Sequence, residues 1–207
     1  MRVLIAGFGP FPGAPVNPSG VLAQSLVRRR RPAFSKITRN VHVFATSYAA
    51  VDRDLPKLLG EKPDIVLLFG VAGRRHQVCV ETRARNAVSV LFPDATGWRP
   101  SRGTIRPGSP NTLTGNAPFV RMLAAIRASK VPARLSRDAG RYLCNYVYWR
   151  ALERALHGYP LVQFIHIPAA SLKPRRRRQG SHRPLSLPRL IDAAESLLIA
   201  LIAASRR

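Results

Sequence analysis

Four short runs of mostly apolar residues constrain the fold of this chain most, because each has the length and flanks of a strand that is buried on both faces. They are VLIAG (3–7), VHVFA (41–45), DIVLLFG (64–70) and VQFIHIP (162–168). Such strands, separated by helical segments, are typical of a mostly parallel sheet with helices on both faces. The runs predict a three-layer α/β/α fold with an open, twisted sheet. A fifth segment, HQVCVET (76–82), alternates more and is expected to form a hairpin or an edge strand.

Helices are expected between these strands. Asn17 and Pro18 supply an N-cap and a proline at the first helical position. The other helices are predicted from apolar residues that recur at helical spacing. The predicted helices are 21–30, 118–130, 143–156 and 190–204. Segments 97–117 and 171–188 are rich in Pro, Gly, Ser or Arg, so both are expected to be irregular surface segments, and the second is expected to be mobile.

The size of the chain favours a single domain. It has 207 residues, 46% of them hydrophobic, which is enough to bury one core over residues 1–207. The two cysteines, Cys79 and Cys144, make no disulfide framework and have no spacing typical of a zinc site. We therefore expect a reducing, cytoplasmic setting. The apolar runs near both ends are too short for a signal-peptide core or a membrane span, so no membrane anchor is expected.

The charge of the chain is extreme, with a formal net charge of +24. Nearly all of the basic residues are arginine, including the runs Arg28–Arg31 and Arg175–Arg178. A field of this size attracts polyanions whatever else the domain does. The sequence lacks the aromatic interleaving and the module signatures of nucleic-acid-binding domains. Two interpretations stay open: arginines that only fill solvated positions, and nonspecific polyanion binding.

Three residues could carry nucleophilic chemistry. In AGRYLCNYV (139–147), Cys144 follows a glycine-led turn and starts a predicted helix, where the helix dipole favours the thiolate. His166 lies near the end of an apolar strand, at the sheet edge where open α/β folds bind ligands. Glu81 follows VCV at the end of another candidate strand. The three suit a nucleophile, its base and an orienting acid, although a buried inert cysteine and a core histidine remain the alternatives.

Six stretches of the sequence occur in an order and spacing that match a known family. They are GFGPFPG…NPS (7–19), PDIVLLFGVAG (63–73), ETRARNA (81–87), PDATG (93–97), SRDAGRYLCNYVYW (136–149) and FIHIP (164–168). Over nearly its whole length the chain resembles pyroglutamyl-peptidase I, the pyrrolidone-carboxylate peptidase family of cysteine peptidases. The resemblance implies an enzyme that removes an N-terminal pyroglutamyl group from peptides through a thiol acyl-enzyme. It also implies no metal or organic cofactor, and a tendency to assemble as a homodimer or homotetramer.

The resemblance assigns a role to each candidate residue. It makes Cys144 the nucleophile, His166 the general base and then acid, and Glu81 the residue that orients His166. A pyroglutamyl group is a flat, neutral lactam, which suits a pocket with aromatic walls and a few polar contacts. The resemblance implies Phe8 and Phe11 as these walls, Asn17 as a polar contact and Tyr142 as part of the pocket beside the nucleophile. Plain core packing is the alternative for the two phenylalanines.

The sequence departs from the family pattern at several positions: two usual arginines are missing, Asp138 replaces a small hydroxyl residue, and the segment after His166 is more basic. Family members usually carry arginine directly after the catalytic glutamate and again in a DAR-x-PD stretch, where this chain has Thr82 and Leu91. Losing one group that stabilises the oxyanion typically costs about 10²- to 10³-fold in rate. Arg83 or Arg85 could compensate, but side chains alternate in direction along a strand. Weak or retargeted peptidase activity is therefore one alternative hypothesis. Another, which rests on the arginine-rich composition, is a non-catalytic protein that binds nucleic acid or another polyanion on this fold.

Overall fold

Eight strands and five helices make up the described part of the chain in the computed structural model, which covers residues 1–11, 15–155, 160–170 and 185–206. The strands are β1 (Arg2–Phe8), β2 (Thr38–Phe44), β3 (Ile65–Val71), β4 (Val78–Glu81), β5 (Arg83–Arg85), β6 (Thr112–Thr114), β7 (Ala133–Ser136) and β8 (Leu161–Ile167). The helices are α1 (Pro18–Arg28), α2 (Tyr48–Gly60), α3 (Phe119–Ala128), α4 (Leu143–Arg154) and α5 (Leu187–Ser205), with a 3₁₀ turn at Pro32–Phe34.

Parts of three sequence-based predictions lie outside the described residues. These are the last residue of the predicted helix 143–156, residues 171–184 of the predicted mobile segment, and the basic run Arg175–Arg178.

The main sheet has the strand order β2-β1-β3-β8-β4-β7. Its neighbours pair in parallel, except that β4 runs antiparallel to β8. The predicted α/β fold with a mostly parallel sheet is confirmed. The prediction of a hairpin or edge strand at 76–82 was wrong, because β4 lies inside the sheet with β7 on its outer side. All four residues of β4 are buried, as expected of an interior strand.

Alternation along the strands divides the core between the two faces of the sheet, because successive strand side chains point in opposite directions. Ile5, Leu67 and Ile165 belong to the cluster that packs under α1, α3 and α5. Their neighbours Leu4 and Leu68 belong to the cluster on the other face, which α2 and α4 cover. The structure is therefore the three-layer arrangement that the apolar runs predict, and α4 lies on the face opposite α1.

The N-terminus of α1 is fixed by the cap that the sequence predicts. The Asn17 side chain accepts a hydrogen bond from the Ser19 backbone N–H at 3.1 Å, and Pro18 is the first helical residue. The helix packs so closely on β1 that a Cβ atom on Gly7 would lie 2.4 Å from the Ser19 carbonyl oxygen. Glycine at this position therefore allows the helix and the strand to touch.

The irregular segment 97–117 is attached to the rest of the domain by strand pairing and by hydrogen bonds. Its strand β6 pairs antiparallel with β5. The Asn86 side chain donates to the carbonyl of Arg106 at 2.7 Å and accepts from the Arg106 N–H at 2.8 Å. These bonds attach the segment to the chain that follows Glu81.

The basic run at the end of α1 is partly neutralised. Arg29 forms an ion pair with Asp192 at 2.6 Å, and Arg31 forms one with Glu195 at 2.6 Å, both on α5.

No helix in the described part of the chain is long and apolar enough to span a bilayer.

Candidate active site

The strand register brings Glu81 and His166 together on one face of the sheet. In the antiparallel pair β4–β8, Cys79 lies opposite His166 and Glu81 lies opposite Phe164. Glu81 and His166 are therefore diagonal neighbours, which long side chains can bridge. The Nδ1 atom of His166 lies 2.8 Å from Oε1 of Glu81, and both side chains are buried.

The α4 helix brings Cys144 to the same face. Cys144 is the second residue of α4, and its side chain is half-buried. The glycine-led turn before it has Gly140 at φ +83°, a conformation that favours glycine. Because Nδ1 of His166 is used by Glu81, Nε2 is the ring nitrogen left for Cys144. The Cys144 thiol also lies within hydrogen-bonding reach of His166, so the structure brings together the three residues that the sequence singles out.

The electrostatics of His166 reflect this arrangement. Burial lowers the pKa of His166, but the hydrogen bonds and negative charges of Cys144 and Glu81 outweigh it and raise the pKa to about 9. Burial likewise raises the pKa of Glu81, but hydrogen bonds from His166, Ser136 and Arg75, with the charge of His166, leave it below its ordinary value. The geometry favours an ionised Glu81 beside a protonated His166, which is the state that stabilises a thiolate.

Gly70 makes room for the thiol, and sequence reasoning missed it. Gly70 lies on β3 directly opposite His166 on β8. A Cβ atom at this position would lie 2.7 Å from Sγ of Cys144 and 2.7 Å from Cζ of Phe164. Non-bonded atoms pack at about 3.5 to 4.0 Å, so only glycine fits without displacing its neighbours. The signal was a glycine inside an otherwise apolar strand, which often marks a close approach.

Buried side chains fix the backbone around the three residues. The carbonyl of Glu81 accepts hydrogen bonds from the Tyr148 hydroxyl and from Nε2 of Gln163, both at 2.9 Å. The Asn145 side chain accepts from the Arg85 N–H and donates to the Arg85 carbonyl, both at 2.8 Å. The start of α4 is thereby bonded to β5, which follows Glu81 in the chain.

The four predicted pocket residues have different environments. Phe8 is buried, with its ring centroid 5.9 Å from that of Phe44, whereas Phe11 is 38% exposed. Asn17 caps α1 and also donates from Nδ2 to the Gly9 carbonyl at 3.0 Å, so it shapes the turn after β1. Tyr142 directly precedes α4.

A loop around Asp94 supports Tyr142. The Tyr142 hydroxyl donates to the Pro93 carbonyl at 3.0 Å. Asp94 is buried and accepts from the backbone N–H of Tyr48 at 3.0 Å and of Thr96 at 2.9 Å. Burial raises the pKa of Asp94, but these hydrogen bonds and that of the Thr96 hydroxyl outweigh it and lower the pKa overall. The charged Asp94 therefore links this loop to the start of α2.

The two positions at which the family arginines are missing have separate structural settings. Thr82 bonds through both its N–H and its hydroxyl to the Ser136 carbonyl, at 2.7 and 3.0 Å. Leu91 is 71% exposed. The arginines considered as replacements reach other groups: Arg83 donates to the Arg137 carbonyl at 3.1 Å, and Arg85 lies 3.9 Å from the Asp138 carboxylate.

Arg75 contacts Glu81, and sequence reasoning missed it as well. Its Nη1 atom donates to Oε1 of Glu81 at 2.5 Å. Its position in the turn between β3 and β4, the two strands that carry Gly70 and Glu81, was the available signal.

Known sequences of one peptidase family are similar to this chain over most of its length. The family model described as pyroglutamyl peptidase matches residues 1–206. A pyrrolidone-carboxylate peptidase of Thermococcus onnurineus is 34% identical over 171 residues, which cover 81% of this chain and 84% of that protein. Pyrrolidone-carboxylate peptidase 1 of Ralstonia nicotianae is 34% identical over 169 residues, covering 80% of this chain and 77% of the relative.

Solved structures agree as well. Pyroglutamyl peptidase I of Bacillus amyloliquefaciens superposes with a TM-score of 0.84 at 28% identity, covering 99% of this chain and 98% of that one. A mutant pyrrolidone carboxyl peptidase of Pyrococcus furiosus superposes with a TM-score of 0.86 at 27% identity, covering 99% of this chain and all of the other. The resemblance that the motifs predict is confirmed, and the chain belongs to the pyroglutamyl peptidase family.

Proposed function

We propose that this chain hydrolyses N-terminal pyroglutamyl groups from peptides, with Cys144 as nucleophile, His166 as general base and then acid, and Glu81 as the residue that orients His166. The observation that supports this most is the 2.8 Å contact between Nδ1 of His166 and Glu81, which leaves Nε2 for the thiol at the start of α4. This is the arrangement of nucleophile, base and orienting acid that acyl transfer requires.

The reaction follows from the protonation states. The Cys144 thiolate attacks the pyroglutamyl carbonyl carbon, and the resulting oxyanion forms next to the first turn of α4, whose N–H groups have no partner within the helix. His166 then gives its proton to the leaving amine as the C–N bond breaks, which leaves a thioester. Neutral His166 takes a proton from water, which attacks the thioester and releases pyroglutamate. Cys144 and His166 return to their starting charges.

The substrate pocket is proposed to lie beside Tyr142, with Phe8, Phe11 and Asn17 on the side of the turn after β1. The aromatic side chains suit the flat faces of a lactam, and the bond from Asn17 to the Gly9 carbonyl supports a fixed shape for this turn.

Turnover of a fluorogenic pyroglutamyl amide by the purified protein tests the proposal. We expect steady-state hydrolysis that iodoacetamide abolishes, and no hydrolysis of the matching prolyl amide, whose amine is free. Absence of pyroglutamyl turnover in the protein with reduced cysteines would overturn the proposed function.

The pH dependence of activity is expected to show the raised pKa of His166. Because that pKa is about 9, the imidazolium that protonates the leaving amine persists through neutral pH, and kcat/KM falls as the pH rises through about 9. The Glu81→Gln substitution removes one of the charges that raise this pKa, so the alkaline limb should move to lower pH and kcat should drop. An alkaline limb at the same pH in both proteins would contradict the role of Glu81.

The same shift affects folding stability. His166 has a higher pKa in the folded state than its ordinary value of 6.5. It therefore stabilises the fold fully below about pH 6.5, and this contribution is lost as the pH rises through about 9.

A Leu91→Arg substitution tests the missing family arginine. Leu91 is 71% exposed, so a charge placed there lies in solvent and contributes little. We expect kcat/KM to change by less than about fivefold, since exposed charge pairs are worth about 0 to 1 kcal/mol. Phe92→Arg, at a neighbouring exposed position, is the matched control. A rise of tenfold or more in Leu91→Arg alone would show that the arginine was limiting.

Three expectations from the sequence stay predictions. They are the homodimer or homotetramer, which sedimentation equilibrium would measure, the cytoplasmic location, and nonspecific polyanion binding. The last has the support of the net charge of +24, and counterion release would make it weaken steeply with salt.

A further inference from the structure

Arg75 bridges the candidate acid and the segment that leads to the nucleophile. It lies in the turn after β3, where its N–H donates to the Ala72 carbonyl at 2.9 Å. Its Nη1 atom donates to Glu81 Oε1 at 2.5 Å and lies 3.4 Å from the Ser136 hydroxyl, while Nη2 donates to the Asp138 carbonyl. We propose that Arg75 is a positioning residue of the peptidase, which holds Glu81 ionised and aimed at His166 through the catalytic cycle.

The charge argument begins with the burial of Glu81. Its side chain has no exposed surface, and an unpaired carboxylate in such a place is strongly unfavourable. His166 cannot be its permanent partner, because the proposed reaction takes the imidazole from charged to neutral and back. Whenever His166 is neutral, Glu81 needs another cation or it takes up a proton. Arg75 stays protonated at every pH of interest and supplies that cation.

The geometry argument rests on a shared oxygen atom. Oε1 of Glu81 meets both Nη1 of Arg75 and Nδ1 of His166. The guanidinium therefore limits rotation of the carboxylate and keeps this oxygen directed at the imidazole. A planar guanidinium with several donors can bind two acceptors at once, which an ammonium group does less well.

The hydrogen bond from Nη2 of Arg75 to the Asp138 carbonyl connects Arg75 to the segment that precedes Cys144. The Asp138 carbonyl that Nη2 binds lies in the segment between β7 and α4. The same segment is fixed by bonds from Ser89 N–H to the Arg141 carbonyl at 2.6 Å and from Gly140 N–H to Asp138 Oδ1 at 3.2 Å. Arg75 thus joins the strand that carries the acid to the turn that places the nucleophile.

Arg74 provides a matched control within the same turn. Its side chain is exposed, whereas the Arg75 side chain is only 20% exposed. Replacing either residue with methionine removes one positive charge from the same turn, at adjacent positions. A general effect of net charge on substrate attraction would therefore appear in both variants, and an effect through Glu81 only in Arg75→Met.

The test rests on the proposed function and uses kcat and KM for a pyroglutamyl amide. We expect Arg75→Met to lower kcat by about 10- to 100-fold, the range for losing one hydrogen bond to a charged group, with little change in KM. Arg75→Lys keeps the charge and should recover part of the loss. Arg74→Met should have the activity of the unaltered protein. In a Glu81→Gln background Arg75→Met should cost much less, because its target is gone.

Each outcome separates the possibilities. An equal loss from Arg75→Met in the unaltered protein and in the Glu81→Gln background would overturn the positioning role, as would equal losses in Arg74→Met and Arg75→Met. If Arg75→Met does not fold, as judged by thermal unfolding, the same cycle is run with Arg75→Lys. The alkylation rate of Cys144 by iodoacetamide, followed by mass spectrometry, needs no substrate. We expect this alkylation rate to fall in Arg75→Met. If the unaltered protein shows no peptidase activity, the proposed function is rejected, and the alkylation rate still decides whether Arg75 positions the site.

Discussion

Replacing Cys144 with alanine is expected to abolish hydrolysis of a pyroglutamyl amide, with a fall in kcat of about 10⁴-fold or more, because no acyl-enzyme can form. The other thiol provides the control. Cys79 is fully buried, and its sulfur faces the Gln77 carbonyl at 3.8 Å, so Cys79→Ala should keep kcat within about tenfold. Steady-state assays with equal concentrations of folded protein measure both effects.

The pairing of Cys144 with His166 makes a further outcome informative. Residues that act as one unit have non-additive effects, so His166→Ala in the Cys144→Ala background should cause little additional loss. Turnover by Cys144→Ala within about a hundredfold of the unaltered protein would contradict a thiol nucleophile. Separate, multiplying losses from the two substitutions would contradict their joint action.

A methyl group at position 70 is expected to have the second largest effect. Gly70→Ala would put a Cβ atom 2.7 Å from the Cys144 sulfur, and the ring of Phe164, equally close, is fully buried in a close-packed core with little room to move. The thiol must therefore shift relative to His166. A displacement of about 1 Å in a reacting group can cost about 10²-fold, so we expect a loss of this size in kcat.

The matched control for this variant is Gly73→Ala. A Cβ atom on Gly73 would have no neighbour within 4 Å, and the residue is exposed three positions further along the chain. It should have normal activity. If Gly70→Ala has normal activity too, the space at β3 is not what places the thiol. A parallel measurement of Cys144 alkylation would show whether a loss in kcat reflects a displaced sulfur.

Much of the fold could be predicted because its central strands are rich in apolar residues. Three runs correspond to the buried strands β1, β3 and β8, and Asn17 caps α1 as expected. The prediction that 41–45 forms a strand buried on both faces was wrong, because β2 is an edge strand in which only Phe44 is buried. β7 could not be predicted, because ARLS (133–136) is short and its two middle residues are exposed. Without β7, there was no reason to place β4 inside the sheet. α2 also lacked predicted bounds, since Pro56 lies inside it and proline is unusual within a helix.

The residues of the candidate site also differ in how well the sequence alone could predict them. Cys144, His166 and Glu81 could be singled out because their types and their positions at element ends are visible in the sequence. Gly70 and Arg75 were harder to single out, because a glycine in an apolar strand and an arginine in a turn are weak signals, and their importance depends on what lies beside them in space. The register of β3 against β8 sets Gly70 opposite His166, and the turn after β3 brings Arg75 to Glu81. Register of this kind is a property of the assembled sheet.

The antiparallel pairing of β4 with β8 also has a consequence for how the chain reaches its native state. Glu81 and His166 are 85 residues apart in sequence, so a long loop must close before they meet. A slip of one residue between these strands would turn Glu81 to the opposite face of the sheet. Folds dominated by such distant contacts assemble slowly. A nascent chain can therefore have formed its helices and still lack a working acid and base, so that peptidase activity arises only once the sheet is complete.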